Sequence, residues 1–333
     1  MTQHTSAAAL NRSRSNPQQP SSRAWLSAAA VGPWLALIVM IIVFSLLNPR
    51  FFTIGNGINI LQQAAVLVVL ALGGTFVILM GSIDLSVGSM VSLAGMSAAM
   101  LIRDHGEWAV VLVPLITMFV AAIAGVLFAY AKLPSFLTTL GMLYAINGMT
   151  LYVTQGAAVN LPTDLVIGSI FNGRLFGIPA VALWAIGIAI VAIFVARRTR
   201  FGRFIYAIGG GETVAKLCGV PVARYKLYAF LVSGFLSGVA GIFLMLRIGG
   251  SDPTMGDPML LPAIAAVVMG GTPLTGGIGG PHRTLLGVLI ITILQNGMNL
   301  ANVNPFLQNV VLGAGVIAAV AVNMDRKRLF FVK

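Results

Sequence analysis

Charge is scarce in this sequence. Asp, Glu, Lys and Arg make up 8% of its 333 residues, and only eight of them are acidic, against the roughly 25% charged residues of an ordinary soluble domain. Apolar side chains fill 58% of the positions, so a water-soluble fold is excluded. Cysteine is almost missing: Cys218 stands alone, which rules out an intramolecular disulfide, and no Cys/His grouping has zinc-ligand spacing. The three histidines, His4, His105 and His282, form no Ser/His/Asp or Cys/His set. No Gly-x4-Gly-Lys-Ser/Thr run occurs, so the chain does not hold ATP in a phosphate loop. These absences predict no catalytic site, metal or cofactor of its own. A net charge of +12 would suit nucleic acid, but the basic residues lie in short runs between apolar stretches and not on one soluble face.

What is present are long charge-free runs, several of them exceeding the about 20 apolar residues that cross a bilayer. Cut at their Gly, Pro and Asn clusters, they give ten candidate segments: 31–48, 58–80, 85–102, 108–131, 135–154, 178–196, 226–246, 259–270, 283–301 and 306–323. The expected fold is an all-α polytopic membrane protein with about ten transmembrane segments, some discontinuous, embedded in the bilayer of a bacterial inner membrane. A Ser-, Gln- and Pro-rich tail over 1–28 is expected to be disordered, the transmembrane domain to run over 29–325, and 326–333 to form a basic tail. With both termini cytoplasmic, 16 Lys and Arg fall on the inside and four, Arg50, Arg103, Arg174 and Arg247, on the outside. Reversing the orientation would invert that bias, against the positive-inside rule.

Segment 259–270 is too short to cross alone, contains Pro262 and runs into GGTPLTGGIGG at 270–280. The stretch GSIDLSVG at 81–88 interrupts the second and third segments in a comparable way. Irregular backbone at membrane depth survives only where it is buried in protein or lines a wet cavity, and paired breaks point to a transport pathway. The longest hydrophilic connection, 197–226, is basic and cytoplasmic in this orientation. It holds a short helix-like piece, Glu212 to Leu217, closed by Gly219 and Pro221. Two readings are open for it: a topogenic loop, or a projection that docks on a soluble motor.

Four stretches carry a resemblance to a family. AIGGGETVAKLCGV at 207–220 resembles the cytoplasmic coupling loop of the ribose, xylose, arabinose and inositol class of ABC permeases; GSIDLSVGS at 81–89, LPSFLTTLGML at 133–143 and AIAAVVMGGTPLTGGIGG at 263–280 are similar to three further motifs of that class, in the same order. The sequence departs from the family at Gly211, usually Asn, at Cys218, usually Ser, and at Met259 to Pro262, where many members have Tyr-Glu-Leu-Asp. The resemblance implies a permease subunit that moves a monosaccharide by alternating access, pairs with a second copy and binds no ATP itself. An ABC ATPase would dock on Gly202, Arg203, Ala207, Gly209, Glu212, Ala215 and Gly219, and a periplasmic sugar-binding protein outside near 156–177 and 247–258.

Candidate pathway residues follow from polarity within apolar segments. Asp84 is the only acid inside the apolar framework; such a carboxylate is a functional candidate, but its neighbours Ser82, Ser86 and Ser89 also suit a helix cap before a helix starting at Leu85. Thr138, Thr139, Asn147, Gln295, Asn296 and Asn299 offer neutral groups that either meet sugar hydroxyls or bond between packed helices, and Gln295 and Asn299 are spaced to share a face. The small residues of SGFLSGVAG at 233–241 are expected to let helices approach closely. Two competing functions remain, a branched-chain amino-acid ABC permease and a carrier using Asp84 as a proton relay; no second buried acid or histidine is available to continue such a relay.

Overall fold

The computed structural model describes residues 22–162 and 165–323; the expected N-terminal tail up to residue 21 and the basic tail at 326–333 lie outside them. Ten helices coincide with the ten expected segments: α1 (Ser22–Leu47), α2 (Ile54–Leu79), α3 (Val87–His105), α4 (Val113–Ala129), α5 (Ser135–Thr154), α7 (Ala180–Arg198), α10 (Val222–Ile248), α11 (Leu260–Met269), α12 (Pro281–Leu300) and α13 (Pro305–Asn323). Three short helices lie between them: α6 (Val166–Asn172), α8 (Arg200–Gly210) and α9 (Glu212–Leu217). Among the described residues, α2, α4 with the 3-10 turn before it, α5, α7 and α10 are each long and apolar enough to cross a membrane. The chain is an all-α, multi-pass membrane protein.

Helices α2 and α10 are the most buried of these spans, α5 and α7 the least. The centre therefore forms where α10 packs on α2, α3 and α4. Small residues make this approach possible. A Cβ at Gly234 would collide with Ala121 and the Thr117 carbonyl, one at Gly238 with Thr117 and Pro114 on α4, and one at Gly241 with Ala94 and the Val91 carbonyl on α3. The glycines of 233–241 are thus contact points on two faces of one helix. Helices α11 and α12 meet in the same manner, with Gly287 against the Ala266 carbonyl and Gly270 against that of Arg283.

Polar pairs join α2 to α12 at both ends. Asn56 and Asn296 exchange side-chain amide hydrogen bonds of 3.0 and 2.9 Å, and the hydroxyls of Thr75 and Thr284 lie 2.8 Å apart. Each group is buried, so its partner spares it the penalty of an unpaired polar atom in an apolar interior. On the outer side, β1 (Val159–Asn160) pairs antiparallel with β4 (Gly250–Ser251), while β2 (Arg174–Leu175) and β3 (Ile178–Pro179) form a hairpin. The first pair joins the two stretches, 156–177 and 247–258, that the resemblance assigns to a binding protein.

Candidate functional site

Both broken spans end in the same way. Helix α2 stops at a left-handed Gly81, with Gly81 N–H on the Ile78 carbonyl (2.9 Å) and Ser82 N–H on that of Val77 (3.2 Å). Helix α11 stops at Gly271, with Gly271 N–H on Val268 O (2.9 Å) and Thr272 N–H on Val267 O (3.1 Å). This paired pattern is the Schellman motif, in which a positive-φ residue lets the chain turn back over the last helical carbonyls. The two loops that follow touch: Gly277 N–H donates to Leu79 O at 2.8 Å, satisfying one of the carbonyls α2 leaves open. A side chain at Gly276 would collide with the backbone of Leu79 and Gly81, so the glycines of 270–280 let this contact form.

The hydrophilic segment 197–226 sits on that contact. Helix α8 is capped by Thr199, whose hydroxyl accepts from Gly202 N–H (3.3 Å). Gly202 lies against the Ala196 carbonyl, and Gly209 lies where a Cβ would strike both Leu79 O and Gly277 N. Tyr206 Oη donates to Gly279 O at 2.8 Å. Burial pushes the Tyr206 phenol above its ordinary range, partly countered by Arg197 and Arg283, so it remains a donor at neutral pH. One short helix therefore touches the end of α2 and the glycine loop that follows α11.

Helix α9 has the expected boundaries. Glu212 in its first turn and Lys216 in its last suit the helix dipole, and left-handed Gly219 closes it with a third Schellman pair, Gly219 N–H on Lys216 O and Val220 N–H on Ala215 O, each 3.0 Å. Ala215 is buried beneath it, whereas Val214 and Leu217 are 64% and 83% exposed on its outer face. Glu212 pairs with Lys226 at 2.7 Å, and Lys226 also lies 4.4 Å from the Phe128 ring centre. Arg203 donates to the Arg198 carbonyl at 3.3 Å, and Ala207 is exposed.

The expected pathway residues do not form one group. Asp84, 6% exposed, accepts from Ser86 N–H (3.0 Å) and Ser86 Oγ (2.6 Å) on one oxygen and from Ser233 Oγ of α10 (2.9 Å) on the other. It ties the break to the central helix, and α3 begins at Val87, two residues later than a start at Leu85, because the Asp84 turn occupies 84–86. Ser89 donates to Ser86 O at 2.9 Å. Thr139 bonds its own helix at Ser135 O (2.9 Å), while the Thr138 hydroxyl is buried without a partner. Asn147 donates to Asp257 at 3.3 Å, Asn296 is held by Asn56, and Asn299 accepts from Gln308 of α13 at 2.9 Å.

Gln295 of that set borders a sizeable cavity. It has a volume of about 190 Å3 and lies between α2, α10, α11 and α12, with Gln63, Arg247 and Thr292 as its other polar groups and Leu67, Leu244, Met255 and Met259 among its apolar walls. The space beside Asp84 is about 10 Å3, the lower limit for one water. Gln63 and Thr292 were missed in the sequence, although both are polar positions within apolar segments, and Arg247 was counted only as an outer charge.

A family profile described as "Branched-chain amino acid transport system / permease component" matches residues 56–320. The ribose import permease protein of Haemophilus influenzae is 39% identical over 294 residues, 86% of this chain and 90% of its own length. That of Escherichia coli is 38% identical over 314 residues, 92% and 96% of the two chains, and the D-allose transport system permease protein of the same species is 34% identical over 297 residues, 88% and 90%. No solved structure matches the chain. The chain belongs to this permease-component family, among its sugar ABC permeases, and is a multi-pass protein of the inner membrane.

Proposed function

We propose that the chain forms, with a second identical copy, the pathway through which a monosaccharide of pentose, hexose or inositol type enters the cell by alternating access. Its partners are an ATPase, docked on α8 and α9, and a periplasmic binding protein, docked over the paired 156–177 and 247–258 stretches. One observation carries the reading: α8 touches the end of α2 and the glycine loop between α11 and α12 at once, through Gly209 at Leu79 and Gly277 and through Tyr206 at Gly279. A push on the exposed Val214 and Leu217 face of α9 would pass through the adjoining α8 to the end of α2 and to the glycine loop that follows α11. Relatives that carry ribose and allose support sugar as cargo. The lining of the 190 Å3 cavity contains no carboxylate to meet the ammonium of an amino acid.

The test is uptake of radiolabelled D-ribose, D-xylose and D-allose into proteoliposomes holding the chain with its ATPase and binding protein, for wild type and Glu212→Ala. ATP-dependent uptake in the wild type that falls at least severalfold in the variant, with the complex still assembled, is the expected result. Uptake that needs no ATPase and follows a proton gradient would replace this reading with a secondary carrier.

A further inference from the structure

We infer that the open cavity between α2, α10, α11 and α12 is a contact site for the transported sugar on each copy of the chain, with Gln63, Arg247, Thr292 and Gln295 as its hydrogen-bonding groups. The inference rests on the sugar-importer reading and adds the residues that meet the cargo.

Thr292 carries the argument. It is 1% exposed, it lines the cavity, and its hydroxyl has no hydrogen-bond partner. A helical threonine ordinarily disposes of its hydroxyl on the carbonyl four residues back. Thr75, Thr117, Thr139, Thr150 and Thr154 all do so here, at 2.6 to 3.2 Å. Thr292 makes no such bond to Val288, although leaving a buried hydroxyl unpaired costs about 1–3 kcal/mol. Three longer polar side chains border the same space. Among the described residues, Gln63, Gln295 and Arg247 have no hydrogen-bonding or ionic partner. Thr292 is thus a buried unpaired hydroxyl beside the half-buried Gln63 and Gln295 and the exposed Arg247, four polar side chains from three helices around one volume.

The chemistry they share selects the ligand. Arg247 offers up to five N–H donors, each glutamine a carbonyl and an amide, and the threonine a hydroxyl that donates and accepts. No acid lines the space, and Leu67 and Leu244 form part of an apolar wall. An oxygen-rich ring with one apolar face, a cyclic polyol, satisfies donors and acceptors together and covers that wall. Arg247 lies in the last turn of α10, beside the connection carrying β4. In the orientation set by charge, the cavity is then in the outer half of the protein, where a binding protein releases its cargo.

Thr292→Val separates this role from packing, because valine keeps the shape and removes only the hydroxyl. In proteoliposomes with ATPase and saturating loaded binding protein, maximal uptake of whichever of D-ribose, D-xylose and D-allose the wild type carries should fall by about tenfold, the worth of one hydrogen bond. The thermal midpoint of the solubilised chain should stay equal or rise, since no protein partner is lost. Thr292→Ser should restore uptake, and Gln295→Leu should lower it in the same direction. Sugar uptake unchanged in both Thr292→Val and Gln295→Leu would overturn the site and leave the importer reading intact, as would a loss of uptake matched by a lower midpoint. A wild type with no ATP-driven sugar uptake would overturn both.

Discussion

Asp84 shows how a residue conspicuous in sequence acquires its role from partners far away in the chain. Both carboxylate oxygens are engaged by serine groups, one of them Ser233 on α10. We read that arrangement as a structural tie between the break and α10. Asp84→Ala, which strips the acceptor from Ser86 and Ser233, should lower stability by about 1–3 kcal/mol, read as a fall in thermal midpoint in detergent. Asp84→Asn keeps an acceptor for Ser86 and should retain ATP-driven uptake within about threefold, since a neutral bond replaces a charged one. A folded Asp84→Asn protein without uptake would contradict the tie. That Asp84 was special could be read from its isolation in an apolar run; that Ser233 holds it could not, because 149 positions separate the two and spacing rules operate within one helix.

Elements were more legible than contacts. Apolar runs and glycine clusters marked ten of the helices, and Glu212, Gly219 and Pro221 bounded α9 to the residue, because capping is a local property of the backbone. The resemblance marked the coupling segment as well. What stayed hidden was pairing across distance: the bond from Gly277 to Leu79, the β1–β4 ladder and the dispersal of the candidate polar residues, since Asn299 turned to α13 while Gln295 faced the cavity. The small residues of 233–241 were legible as close-packing positions, but not which helix each would meet. Adding bulk at the α4 contact should show the consequence. Gly238→Leu should destabilise the protein by about 1–3 kcal/mol through overpacking against Thr117 and Pro114, whereas the same change at Gly141, which has open space around it, should leave the thermal midpoint nearly unchanged. Equal effects at the two sites would refute the packing role.

At the scale of the whole molecule, the uneven placement of Lys and Arg gives the expected orientation, and the glycine breaks underlie the proposed mechanism. Cys218, the only cysteine in the sequence, is exposed at the end of α9. With α9 on the cytoplasmic side, a membrane-impermeant maleimide should label it in inverted vesicles and not in intact cells; labelling from outside would reverse the topology. On the proposed reading α8 passes motion from an ATPase to the end of α2 and to the glycine loop after α11, and Gly209 is the point at which no side chain fits against either. The most direct measurement is therefore the ratio of sugar moved to ATP hydrolysed in proteoliposomes for Gly209→Val against wild type. The account predicts a complex that still assembles and hydrolyses ATP while its transport ratio drops by tenfold or more; a variant that assembles and transports at the wild-type ratio would contradict it.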